Sequence, residues 1–120
     1  MERIIEQYRR RIAATNQEFI RSIADTIAWD ARLVGIRGAR GVGKTTLLLQ
    51  HIAQTFRNNL NAALYASLDN LWFADHSLIE LADNFAKQGG THIFLDEVHK
   101  YPQWSQAVKN IYDDYPDLHI

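Results

Sequence analysis

The residues best suited to chemistry in this 120-residue chain form one short run, Gly38-Ala39-Arg40-Gly41-Val42-Gly43-Lys44-Thr45. The run matches G-x-x-x-x-G-K-[ST], a pattern with a mechanical reason at each fixed position. Glycines adopt backbone angles that a side chain forbids, and they let N–H groups face an anion. The run leads into an apolar-faced helical segment, and a helix N-terminus favours negative charge. Lys44 suits the β- and γ-phosphates of a nucleoside triphosphate, as a point charge. The Thr45 hydroxyl suits Mg²⁺, and Thr46 has a weaker role near the α-phosphate. Arg40 either touches phosphate or points to solvent. The competing reading of the whole run is a chance match. Its flanks, an apolar strand before and an apolar-faced helix after, argue against chance.

Two acids follow 51 and 52 residues after Thr45. Asp96 ends the apolar run Ile93-Phe94-Leu95 and fits a magnesium shell. Glu97 comes next, and a carboxylate there can polarise an attacking water as general base or by orienting it. The competing reading for Glu97 is a solvent-facing strand end. His99 and Lys100 read as ordinary loop residues. Asp69 reads as a turn cap with Asn70. The five His residues show no ligand spacing, so no zinc site is expected.

These side chains need elements to position them. Residues 2–29 read as one amphipathic helix, with Ile5, Tyr8, Ile12, Phe19, Ile23 and Ile27 at helical spacing and no Pro or Gly between. A helix packed on the following domain is the favoured role, with a partner or oligomer helix as the alternative. Arg9 to Arg11 read as a solvated face. Leu33 to Arg37 is a strand candidate entering the glycine-rich run. A helix is expected over Lys44–Phe56, with Leu48, Leu49, Ile52, Ala53 and Phe56 on its apolar side. Ala62–Leu68 reads as a buried strand. The cluster Leu71-Trp72-Phe73 should pack under the next helix. Ser77 with Glu80 is a capping box ahead of a helix that stops at Gly89-Gly90. His92–Leu95 is a further strand. Pro102 opens a helix with Trp104, Val108, Ile111, Tyr112 and Tyr115 on one face. Asp117–Ile120 reads as the start of a fourth strand. Strands alternate with helices, so the fold class is α/β with a parallel sheet. The organisation is an N-terminal helix over 1–30 and a nucleotide-binding core over 31–120.

Composition sets limits. The chain is 47% hydrophobic and 22% charged, ordinary for a globular domain. Cys is absent, which excludes disulfides and thiolate metal sites. No stretch reaches the length of a membrane span, and no signal-peptide core is visible. No membrane partner and a cytoplasmic location are the expectations. A net charge of −1 gives no general support for nucleic-acid binding.

The glycine-rich run with Thr46-Leu47-Leu48, Leu68-Asp69, and the stretch Phe94-Leu95-Asp96-Glu97-Val98-His99-Lys100-Tyr101-Pro102 with Trp104 resemble prokaryotic AAA-type ATPases of the AAA+/STAND-like kind. The resemblance covers nearly the whole chain. It implies a P-loop three-layer sandwich, with Walker A and Walker B motifs in the two runs. It implies ATP as the nucleotide, and hydrolysis by Lys44, Thr45, Asp96 and Glu97. It also implies that the fourth strand lies between the phosphate-loop strand and the Asp-Glu strand. With at most Leu118–Ile120 in that place, the core is expected to be truncated, a fragment of a longer ATPase. Unpaired groups on the flanking strands would each cost about 1–3 kcal/mol. The alternatives are a nucleotide-dependent switch or remnant without turnover and, further off, a P-loop kinase. A nucleic-acid, protein or oligomer partner of the complete ATPase stays open.

Overall fold

A computed structural model describes residues 1–15, 27–36 and 43–120. Among these, α1 spans Glu2–Ala14, α2 Lys44–Thr55, β1 Ala63–Ser67, α3 Leu78–Lys87, β2 His92–Asp96 and α4 Trp104–Asp114. Short 3-10 turns sit at Leu60–Ala62, Leu71–Ala74 and Val98–Lys100.

β1 is buried at every position, as its unbroken apolar run requires. It pairs in parallel with β2, in a register that sets Tyr65 against Phe94 and Ser67 against Asp96. This two-stranded parallel sheet with its helices gives a small α/β fold. Hydrogen bonds extend the parallel array past β2. His119 bridges His92. On its other edge Ile120 N–H donates to the Arg32 carbonyl at 2.7 Å, and Val34 N–H donates to the Ile120 carbonyl at 3.0 Å. The tail at 118–120 thus lies between β2 and the segment entering the glycine-rich run. That is the position expected for a fourth strand.

The N-terminal helix is shorter than its periodicity suggests. It ends at Ala14, and Thr15 is extended at φ −77°, ψ 130°. The Thr15 hydroxyl donates to the Arg11 carbonyl at 2.7 Å and its N–H to the Ile12 carbonyl at 3.2 Å. A Thr side chain that bonds its own backbone competes with helix continuation, and no Pro or Gly is needed. Residues 27–30 are bend and turn, not helix. Phe19 and Ile23 lie outside the described residues. The buried face is Ile4, Tyr8 and Ile12, with Ile5 at its margin. α1 packs against β1 and α2. Polar ties reinforce it: Tyr8 Oη donates to the Leu60 carbonyl at 3.0 Å, Asn70 Nδ2 to Gln7 Oε1 at 2.9 Å, and Arg9 to Asn61.

α3 starts as its capping residues dictate, with Ser77 Oγ accepting from Glu80 N–H at 3.0 Å. It ends at Lys87, two residues before Gly89, whose φ of +90° suits glycine, and a Cβ on Gly90 would meet the Phe85 ring at 2.2 Å. α3 packs on α4. α4 buries Ala107, Val108 and Ile111. Trp104 and Tyr112 are exposed, against expectation. Tyr112 instead lies under the Arg32 guanidinium, 4.0 Å from the ring centroid. Arg32 also donates to the Tyr112 and Tyr115 carbonyls, at 2.8 and 3.1 Å, and so caps the helix. Trp72 is buried and stacked on His76, whereas Leu71 is 79% exposed.

Candidate functional site

Gly38, Ala39, Arg40, Gly41 and Val42 lie outside the described residues. Gly43 is described and is left-handed, at φ 82° and ψ 28°, a conformation that glycine adopts without penalty. It caps α2, which begins at Lys44. Lys44, Thr45 and Thr46 therefore occupy the first turn of a helix, where backbone N–H groups have no intrahelical acceptor.

β2 delivers the two acids to the same place. Thr45 Oγ1 donates to Asp96 Oδ2 at 2.5 Å across 51 residues of chain. Asp96 Oδ1 accepts the Glu97 N–H at 3.0 Å. Glu97 then turns into the left-handed region, at φ 53°. A non-glycine residue there costs about 1–2 kcal/mol, and such backbone outliers concentrate at functional sites. Glu97 Oε2 is buried and lies 3.3 Å from His99 Nε2, close enough for attraction when His99 is protonated but without hydrogen-bond geometry. His99 is thus beside Glu97 and remains largely exposed. Asp69 accepts the Ser67 hydroxyl at 2.5 Å, while Asn70 alone caps the following turn through Trp72 N–H.

Lys44, Thr45, Asp96 and Glu97 line one cleft of roughly 1110 Å³, whose wall continues through Leu33 and Trp104. The donors converging at Thr45 and Asp96 are oxygens, the chemistry that hard cations prefer. Among the described residues no group of three His, Asp or Glu side chains is poised to hold a metal. A magnesium ion here would complete its shell with phosphate oxygens and water, its usual habit.

Two further features escape a reading of sequence patterns. Tyr65, in the middle of β1, donates its hydroxyl to Asp96 Oδ2 at 2.6 Å. The available signal was a lone hydroxyl in a buried strand, which must find an acceptor; which acceptor depends on register. Trp29 stacks on His51, with centroids 3.7 Å apart and planes at 10°. Burial, with a smaller push from His92, lowers the His51 pKa to about 4. No pattern linked Trp29 to His51, because the stack spans the glycine-rich run.

Among the described residues no helix is long and apolar enough to cross a membrane. A family profile described as an AAA domain matches residues 30–120. No curated protein and no solved structure matches. The profile begins at the turn before the 33–36 segment and runs through the tail that pairs with it, so it takes in every residue of the cleft except Trp29. The chain therefore belongs to the AAA domain family of P-loop ATPases.

Proposed function

We propose that this chain binds ATP with Mg²⁺ at residues 38–46, and that the site serves to hydrolyse it. Lys44 binds the β- and γ-phosphates. Thr45 and Asp96 hold the magnesium, and Thr46 lies beside the α-phosphate. Magnesium, when bound, neutralises phosphate charge. Glu97 orients the attacking water and accepts its proton. The reading is carried by the 2.5 Å contact between Thr45 and Asp96, which joins the two motifs. Residues 31–120 form the core. The α1–α2 and α3–α4 pairs, each packed together, are read as the two outer layers of a three-layer sandwich.

Titration of ATP in the presence of Mg²⁺ tests the assignment. Lys44→Ala should weaken binding by at least about a hundredfold, near 2.8 kcal/mol. An unchanged affinity would remove Lys44 from the site. A second reading, binding without turnover, draws on the contact between His99 and Glu97, which competes for the carboxylate. Phosphate release from bound ATP separates the two. Glu97→Gln should retain ATP and abolish any release.

A further inference from the structure

Asp96 Oδ2 accepts two hydroxyls, one from Thr45 on α2 and one from Tyr65 on β1. The residue directly opposite Asp96 in the sheet is Ser67, but its hydroxyl is spent on Asp69. Tyr65 faces Phe94, two residues before Asp96 and on the same side of the sheet. A phenol is long enough to cross that diagonal, and a Ser or Thr hydroxyl is not. The ring cannot swing away, because Tyr65 is 1% exposed. The Arg11 guanidinium of α1 covers it, 5.6 Å from the centroid.

We propose that Tyr65 is a positioning residue for the magnesium site. Its hydroxyl holds the Asp96 carboxylate in one rotamer. The phenol does so without entering the metal shell itself. A carboxylate held in place loses less freedom when a cation binds, so the cation binds more tightly. The proposal rests on the assignment of Asp96 and Thr45 to magnesium.

The test uses the whole chain and two measurements, ATP affinity in EDTA and the Mg²⁺ concentration that half-saturates the gain in ATP affinity. Tyr65→Phe keeps the ring and removes only the hydroxyl. It should raise the Mg²⁺ midpoint about tenfold, since a hydrogen bond to a charged group is lost. ATP affinity in EDTA should stay unchanged. A purely structural tyrosine would lower both affinities in parallel, and that result would overturn the proposal. So would an unchanged midpoint in Tyr65→Phe alongside a shifted one in Asp96→Asn. If Mg²⁺ had no effect on ATP affinity in the wild type, the magnesium assignment would fall and this proposal with it. A signal from the wild type serves if Tyr65→Phe does not fold. Mg²⁺ added to the ATP-bound protein should perturb tyrosine ultraviolet absorption, and Asp96→Asn should abolish that change. Its persistence in Asp96→Asn would count against Tyr65.

Discussion

Tyr8 and Tyr65 are alike in composition and burial, each 1% exposed, and differ in what their hydroxyls meet. Tyr8 donates to the backbone carbonyl of Leu60 and ties α1 to the turn before β1. Tyr65 donates to Asp96, which lines the cleft. Burial is the main reason that both phenols titrate above their usual range, Tyr8 at about 12. For Tyr65 the Asp96 carboxylate adds to the rise, because an ionised phenol would face a second negative charge. The same residue type at the same burial thus serves a scaffold in one place and a site in the other. The acceptor decides which.

The comparison can be broken most forcefully at the acceptor. Asp96→Ala should abolish the magnesium dependence of ATP binding and strand the Tyr65 hydroxyl, destabilising the fold by about 1–3 kcal/mol. A calorimetric titration and a denaturant melt read the two effects. Tyr8→Phe should cost about 1 kcal/mol of stability and leave the Mg²⁺ midpoint untouched. A shifted midpoint there would erase the distinction between the two tyrosines.

Alkaline pH sharpens the contrast. A phenol whose folded pKa is raised keeps its proton after the unfolded chain has lost it. Stability from Tyr8 is therefore complete below about pH 10 and lost as pH rises towards about 12. Tyr8→Phe should flatten that limb in melts across this range. On the acid side His51 acts together with His92, whose pKa burial also lowers. The folded pKa of His51, near 4, lies below the ordinary 6.5, so the unfolded chain takes up a proton first. Stability should fall from about pH 6.5 to 4, and His51→Gln should shrink the loss. The smallest effect expected is at Gln103, left-handed at φ 56°. Gln103→Gly should stabilise by about 0.5 kcal/mol, the relieved strain less the added chain entropy.

Legibility followed the range of the forces. α3 was readable from end to end, because Ser77, Glu80, Gly89 and Gly90 act within one turn of the chain. β1 was readable because a run buried on both faces must be apolar; β2, buried only at Ile93, was readable from its apolar run ending in two acids. The N-terminal helix was misjudged, since spacing alone cannot weigh Thr15 bonding back to Arg11. On α4, Trp104 and Tyr112 carry helical spacing yet stay exposed. The surroundings of Tyr112 are set by Arg32, 80 residues away. On α2 the spacing missed Leu47 and Gln50, both buried.

By itself the sequence determined the chemistry on offer: a glycine-rich run with Lys44 and Thr45, an apolar strand ending in Asp96 and Glu97, and the alternation that makes an α/β fold. Those are properties of residue type and local spacing. Tertiary structure decided the rest. It set Thr45 within 2.5 Å of Asp96, chose Tyr65 over Ser67 as the second donor, and laid 118–120 between β2 and the 33–36 segment. Each depends on strand register and on which elements become neighbours, and the free energy of those choices resides in contacts between residues tens of positions apart.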